Sequence, residues 1–202
     1  DIESLAKEKG AEVRGQFVKY QKGADGVVRT VFETGKYTAV MRKFVMRHCM
    51  THSPDFENLI KRIVKKHEGS SIAVLVDWVD FSEKLASSLG AVAFHGQSVD
   101  RKKILSDFSE GRNKIIVATS VLDEGISIDR IKVLILANAG KSFRQFLQRI
   151  GRGLRKKLDD NTLQVYDFFY FGHKYTTGPS KERFKLWKSE GFDVTVVDED
   201  SI

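Results

Sequence analysis

Short apolar runs alternate with segments of helical periodicity through most of this chain. Ile72 to Val76, Ile115 to Ala118 and Val133 to Ala137 are continuous apolar runs bounded by polar residues. The same plan continues at Ala91 to Phe94 and at Leu163 to Phe169. Continuous runs of this length are typical of strands that are buried on both faces of a parallel sheet. The pattern therefore predicts an α/β fold, a doubly wound and mainly parallel sheet, from about residue 56 onward.

Amphipathic helices are predicted between these strands. Pro54 ends one element and begins the next, in which apolar residues recur at helical spacing. That apolar stripe consists of Phe56, Leu59, Ile60, Ile63 and Val64. The outward cations of the same helix, Lys61, Arg62, Lys65 and Lys66, favour a solvated face, with phosphate contact as the alternative. Later helices are expected through Leu89 with Asp80 and Glu83 as cap, over Ser98 to Phe108, and after Gly178-Pro179 with Ser180 as cap.

The N-terminal part has a different pattern. Two extended runs, Glu12 to Gln21 and Val27 to Phe32, flank an Asp25-Gly26 step, which is a turn signal and predicts a β-hairpin. Such a hairpin is a connector or, alternatively, an element that separates or grips nucleic-acid strands. A weakly helical segment, Tyr37 to His52, follows it. We therefore predict a hairpin and helix segment ahead of the α/β domain.

Composition limits the setting of the protein. The 202 residues carry a net charge of +7, which favours a polyanionic partner without choosing among nucleic acid, nucleotide and membrane surface. The lone Cys49 excludes an intramolecular disulfide and suits a reducing compartment. No apolar run approaches the length of a membrane span, and the start shows no signal-peptide character. We expect a soluble, cytoplasmic protein and, because it begins with Asp1, a piece of a longer polypeptide.

Three potential metal ligands, His48, Cys49 and His52, lie close together on the predicted helix. A structural zinc site needs four ligands, and the chain has no second cysteine. We therefore interpret these residues as a half-buried helix face and expect no metal site.

The segment from Ser142 to Arg155 has two distinct faces. Its apolar stripe consists of Phe143, Phe146, Leu147 and Ile150, and its polar stripe of Gln145, Gln148, Arg149 and Arg152. Arg155 lies three residues after Arg152, so both guanidiniums leave the same side of the helix end. Gly151 and Gly153 interrupt that end, where another backbone or a ligand approaches closely. Convergent arginines beside a glycine bend indicate an anion-binding edge.

Two further segments resemble nucleotide-binding motifs but fail their requirements. Gly140-Lys141-Ser142 ends like a P-loop, but Ile135 occupies the position of the required first glycine. Asp123-Glu124 resembles an acidic magnesium-binding pair, but it lies after a strand and an intervening Thr-Ser-Val-Leu turn, before Gly125. The chain thus has arginines suited to a transferring phosphate and nothing that cradles a nucleotide.

Ordered motifs give this chain a family resemblance. Residues 117–127 (Val-Ala-Thr-Ser-Val-Leu-Asp-Glu-Gly-Ile-Ser) and 148–155 (Gln-Arg-Ile-Gly-Arg-Gly-Leu-Arg) resemble motifs V and VI of superfamily 2 helicases. Ile72 to Trp78 resembles motif IV, and Phe94-His95-Gly96 with Arg101 resembles the segment that follows it. The chain is most similar to UvsW-type phage DNA helicases, which are related to XPB-type enzymes. The resemblance implies a second RecA-like lobe over residues 56–202, with residues 1–55 as a connecting segment from the end of the first lobe.

The resemblance also implies roles for individual residues. Arg152 and Arg155 correspond to arginine fingers, while Gln148 and Gly125 line the ATP site; ATP and Mg²⁺ are held mainly by the first lobe, so this part alone is expected to be inactive. The implied contacts to the nucleic-acid backbone are Gly96, Thr119, Ser120 and Arg101. Ser127 replaces an Asp that many superfamily 2 proteins carry, and Gln148 replaces the His common in DEAD-box RNA helicases, which favours DNA.

The function so implied is that of an ATP-dependent DNA helicase, acting on single-stranded or branched DNA in recombination, repair or replication. Its partners are DNA and the first lobe of the same polypeptide, with no membrane. Two alternatives stay open, namely a non-catalytic nucleic-acid-binding module and a duplex translocase that does not separate strands.

Overall fold

Two compact units make up the chain in the computed structural model, which describes residues 1–22, 28–119, 130–137, 162–170, 173–198 and 201–202. The first unit comprises Asp1–Ser53 and Tyr170–Glu182, and the second comprises Pro54–Phe169 and Arg183–Ile202. Within the described ranges, no helix is both long enough and apolar enough to cross a membrane.

The first unit begins with a helix that the sequence pattern did not predict. Helix α1 (Ile2–Arg14) starts at Asp1, whose carboxylate accepts a hydrogen bond from the backbone N–H of Glu3 at 3.0 Å. Its buried residues are Ala6, Gly10 and Val13. The prediction of a strand from Glu12 was therefore wrong, because Val13 completes the apolar stripe of a helix that is rich in Ala, Glu and Lys.

A β-hairpin and a second helix complete the N-terminal part of this unit. Strands β1 (Val18–Lys22) and β2 (Val28–Phe32) pair antiparallel, with Val18 opposite Phe32, so the predicted hairpin is confirmed. Helix α2 (Thr34–Thr51) follows, as the weak helical pattern predicted. Met41 and Val45 of α2 pack with Ala6 and Val13 of α1 in one buried cluster.

The second unit is built on a five-stranded sheet in which all pairings are parallel. The strands are β3 (Ile72–Leu75), β4 (Val92–Phe94), β5 (Ile115–Ala118), β6 (Val133–Leu136) and β7 (Gln164–Asp167). Their order across the sheet is β4-β5-β3-β6-β7. Strands β3 and β6 are buried along their whole length, which explains why the sequence showed apolar runs without alternation. The predicted parallel α/β fold is confirmed.

Helices cover both faces of this sheet. They are α3 (Pro54–Lys66), α4 (Val79–Leu89), α5 (Arg101–Ser109) and α6 (Lys174–Ser189), of which α6 begins in the first unit and ends in the second. Phe108 of α5 and Trp187 of α6 pack with Leu75 and its same-face neighbours in one core cluster. Phe56 of α3 meets Phe168, which follows β7, edge to face, with ring centroids 4.9 Å apart. This arrangement is doubly wound.

Three predicted helix starts were wrong, each because local geometry assigns the capping residue another role. Trp78 rather than Asp80 is the N-cap of α4, and Asp80 lies in the first turn. The hydroxyl of Ser98 is used by the loop before α5, which starts at Arg101. Helix α6 begins at Lys174, where the Nδ1 atom of His173 accepts the N–H of Tyr175 at 3.2 Å. Ser180 is therefore inside α6, where its hydroxyl donates to the carbonyl of Thr176.

Candidate functional site

Two predicted contact residues lie at neighbouring strand ends of the second unit. Strands β4 and β5 pair with Phe94 opposite Ala118, so both end at the same edge of the sheet. The backbone N–H of Thr119 donates to the carbonyl oxygen of Phe94 at 3.1 Å. Thr119 is therefore beside the start of the loop that carries Gly96. Ligands of open parallel sheets bind at this carboxyl edge.

The loop after β4 is held by a buried histidine. His95 is 5% exposed, and its Nδ1 atom accepts the N–H of Gln97 at 3.3 Å. Since Nδ1 is an acceptor, the imidazole proton is on Nε2, which lies 3.3 Å from the carboxylate of Glu83. The contact between Nε2 and Glu83 thus ties the loop to α4.

A serine completes the same loop. The hydroxyl of Ser98 accepts the backbone N–H of His95 at 2.9 Å and donates to the carbonyl of Ala93 at 3.3 Å. The N–H of Ser98 donates in turn to the carbonyl of His95 at 3.0 Å. These bonds fix the backbone on both sides of Gly96, which is itself exposed. A fixed, exposed backbone of this kind can donate to an anion without reordering.

Arg101 begins α5 next to this loop. Its guanidinium carbon lies 5.3 Å from the ring centroid of Phe94, a cation–π arrangement that orients the side chain at the strand end. Asp100, just before it, has a φ of 53°, which makes it the one non-glycine residue with positive φ in the described ranges. This left-handed residue turns the chain sharply from the loop into α5. Gly96 and Arg101 follow β4 along the chain, and Thr119 follows β5 directly. Thr119 is 7% exposed, so little of it is open to solvent.

A buried ion pair at the end of β7 was not predicted from the sequence. Arg183 of α6 donates from Nε to the Oδ2 atom of Asp167 at 3.1 Å and from Nη2 to the carbonyl of Phe168 at 2.8 Å. The indole Nε1 of Trp187 donates to the same Oδ2 at 2.8 Å. The available signal was the four-residue spacing of Arg183 and Trp187, which places both on one helix face. Because Arg183 bonds to Asp167 and Phe168 of the same chain, we interpret the cluster as a structural link between α6 and β7 and not as an anion-binding site.

One outward cation of α3, Lys61, is paired within the chain, and Lys84 of α4 shares its partner. The Nζ atom of Lys61 lies 2.8 Å from the Glu57 carboxylate, and Lys84 lies 3.2 Å from it. The hydrogen bond from Lys61, followed by that from Lys84, lowers the pKa of Glu57 against the opposing effect of burial. The pair of Lys61 with Glu57 is consistent with a solvated face for this part of α3.

Several predicted site residues lie outside the described residues. They are Arg152, Arg155, Gln148, Gly125 and Ser120, whose roles remain predictions. In the part of the chain that the structure covers, no three His, Cys, Asp or Glu side chains are grouped so that they could hold a metal ion. His48 and His52 instead stack on one another, with ring centroids 4.7 Å apart.

Comparison with known proteins gives a family match over half of the chain. The model of the helicase conserved C-terminal domain matches residues 55–157. That range includes both ordered motifs, 117–127 and 148–155, as well as the ends of β4 and β5.

Individual relatives include proteins named for DNA and for RNA. The DNA 3'-5' translocase XPB2 of Sulfurisphaera tokodaii is 29% identical over 100 residues, covering 48% of this chain and 23% of the translocase. The ATP-dependent RNA helicase FAL1 of Vanderwaltozyma polyspora is 32% identical over 83 residues, covering 40% of this chain and 20% of FAL1. The crystal structure of T4 UvsW is similar in fold, with a TM-score of 0.58 and 19% identity, covering 78% of this chain and 37% of UvsW. The chain thus spans well under half of each protein.

Proposed function

The chain belongs to the family of helicase conserved C-terminal domains, and we propose that it is the second motor lobe of an ATP-dependent superfamily 2 DNA helicase or translocase. Family membership confirms the resemblance seen in the ordered motifs. We also propose that residues 1–55 connect this lobe to a first lobe and that the protein is cytoplasmic.

Arg152 and Arg155 are the residues that we assign to ATP. They reach ATP on the first lobe and stabilise the charge that develops as the phosphoryl group is transferred. Gln148 orients the nucleotide end of the cleft, and Gly125 lets the backbone approach closely. Arginine suits this role because its guanidinium is planar and permanently charged. ATP and Mg²⁺ are held mainly by the P-loop and acidic box of the first lobe, so the lobe alone does not hydrolyse ATP.

The residues that we assign to the nucleic acid are Gly96, Thr119, Ser120 and Arg101. They contact backbone phosphates through amide, hydroxyl and guanidinium donors and do not read bases. The observation that supports this assignment is the 3.1 Å hydrogen bond from the N–H of Thr119 to the carbonyl of Phe94, which holds the ends of β4 and β5 side by side. The bonds of His95 and Ser98 support it further, because they fix the backbone around Gly96 before any strand arrives.

We propose DNA, single-stranded or branched, as the polymer, with remodelling in recombination, repair or replication as the task. The glutamine at position 148 supports DNA over RNA, and the translocase among the relatives is named for DNA. Closure of the two lobes on ATP, followed by hydrolysis, shifts one lobe along the strand.

Hydrolysis and strand separation by the complete polypeptide test this proposal. We expect ATP hydrolysis that rises on addition of single-stranded DNA and less on addition of RNA of the same length. Binding of DNA without any hydrolysis contradicts the proposal and identifies a non-catalytic binding module. Displacement of a triplex strand without separation of a duplex identifies a duplex translocase.

A further inference from the structure

Helix α2 carries a basic stripe on its exposed side. Residues Thr34–Thr51 include Lys36, Arg42, Lys43 and Arg47 and contain no Asp or Glu. Lys36, Lys43 and Arg47 are exposed and lie on one side of the helix, because they are separated by seven and four residues. Lys36 is paired with Glu33, which lies just before the helix, at 2.9 Å. Because α2 contains no acidic residue, the field of this face is positive.

An aromatic column runs along the same helix beside that stripe. The rings of Phe44 and His48 lie 6.5 Å apart at an interplanar angle of 24°, and those of His48 and His52 lie 4.7 Å apart at 14°. Three nearly parallel rings thus succeed one another at four-residue intervals. Lys9 of α1 lies 5.9 Å from the Phe44 ring and covers that end of the column. The other end, His52, is exposed.

Thr51 fixes the ring at the exposed end. Its hydroxyl donates its single proton to the carbonyl of Arg47 at 2.8 Å and lies 2.7 Å from Nδ1 of His52. Because the proton of the hydroxyl is already used, Nδ1 of His52 is the donor in the second bond. The imidazole is thereby held in the plane that continues the column. A further planar group can stack on it without reorienting the ring.

We infer that this face of α2, formed by Lys43, Arg47, His48 and His52, binds one polynucleotide strand. Phosphates contact Lys43 and Arg47, and one base stacks on His52, so that the column gains a fourth ring. A polynucleotide is the partner that supplies both features, a line of negative charges and planar groups beside it. The contact lies in the first unit and is additional to the proposed contacts of Gly96, Thr119, Ser120 and Arg101. It depends on the proposed function only for the identity of the polymer as DNA.

Equilibrium binding without nucleotide tests the charge half of this inference. A fluorescent oligothymidylate is titrated with the full chain over a series of salt concentrations. For Lys43→Gln/Arg47→Gln, the slope of log affinity against log salt becomes shallower by about 1.4, since each phosphate contact to a single strand contributes about 0.7. The matched control is Lys7→Gln/Lys114→Gln, which removes two exposed lysines outside α2. Equal slopes in the two double variants overturn the inference.

Binding of normal and abasic strands tests whether a base stacks on His52. His52→Ala lowers the affinity for oligothymidylate at least about fivefold and leaves binding of an abasic strand unchanged, since a stacked base contributes about 1 to 3 kcal/mol. His52→Phe keeps a planar ring and retains the wild-type affinity. A loss that is equal for normal and abasic strands overturns base stacking. Because no ATP is present, these outcomes are independent of the hydrolysis that tests the proposed function.

Discussion

Arg183 holds Asp167 through two parallel contacts, from Nε to Oδ2 at 3.1 Å and from Nη2 to Oδ1 at 3.0 Å. Both side chains are largely withdrawn from solvent, with exposed fractions of 8% and 16%. Trp187 donates to the same carboxylate, so the last helix and the last strand of the sheet share one polar centre. A charge buried in this way is stable only while its partner is present.

Asp167→Asn is expected to lower the free energy of unfolding by about 3 kcal/mol, because it leaves the guanidinium of Arg183 buried without its counter-charge. Urea unfolding of both proteins measures the difference. The control is Arg112→Ala, which also removes an arginine with two acidic partners, Asp107 and Glu110, but one that is 55% exposed. The control should leave the unfolding midpoint unchanged. A loss from Asp167→Asn as small as that of the control contradicts the structural role.

Arg155→Ala in the complete enzyme is expected to reduce DNA-stimulated ATP hydrolysis by about 10³-fold or more, the range measured for arginine fingers elsewhere. Arg155→Lys should restore little of it, since an ammonium cannot reproduce the planar two-pronged contact. Initial rates at saturating DNA provide the measurement. Arg112→Ala, in contrast, should hydrolyse ATP normally. If Arg155→Ala hydrolyses ATP at nearly the wild-type rate, Arg155 is not an arginine finger.

Thr119→Val removes a hydroxyl at the end of β5 with little change in shape. If that hydroxyl donates to a phosphate, affinity falls about tenfold, as expected for a hydrogen bond to a charged group. Single-stranded and branched DNA should be affected alike, because phosphates are common to both. Fluorescence anisotropy with several unrelated sequences checks this. A loss confined to one base sequence contradicts a contact made only to the backbone.

Gly10 lies against Tyr37 in the first unit. A methyl group added at Gly10 would approach the hydroxyl oxygen of Tyr37 to 2.5 Å, whereas the ring carbon that bears this hydroxyl lies at 3.8 Å. Gly10→Ala should therefore destabilise the protein even though alanine favours a helix by about 1 kcal/mol. Adding Tyr37→Phe removes the obstructing oxygen, and the double variant should recover stability relative to Gly10→Ala. Thermal unfolding of all four proteins gives the coupling energy; a purely additive cycle contradicts the contact.

His67 makes stability depend on pH. Burial lowers its pKa below 6.5, and the nearby charge of Lys66 lowers it further. The unfolded chain therefore binds the proton more readily, so stability falls as pH drops below about 6.5. His67→Gln, which can still hydrogen-bond to the hydroxyl of Tyr166, should flatten the profile there. Urea midpoints between about pH 5 and 7 measure it. Parallel profiles for wild type and variant contradict the assignment.

The sheet was predictable because its signal is local and repeated. Each apolar run must be buried on both faces, and in a chain of this length only a covered parallel sheet satisfies several such runs at once. Element ends were less predictable, since capping depends on which side chain the surrounding loops leave available. Ser180 has the right chemistry for a cap, but His173 starts the helix earlier and Ser180 bonds to Thr176 within it.

The sequence by itself determined the fold class, the hairpin and the family, because periodicity and ordered motifs lie along the chain. Only the tertiary structure decided the strand order β4-β5-β3-β6-β7, since apolar runs of similar composition do not specify their neighbours. That order places Thr119 beside Phe94, which lies 25 residues earlier in the chain. It also allows Arg183 to reach Asp167. Both contacts join residues that are distant along the chain, and no local pattern encodes them.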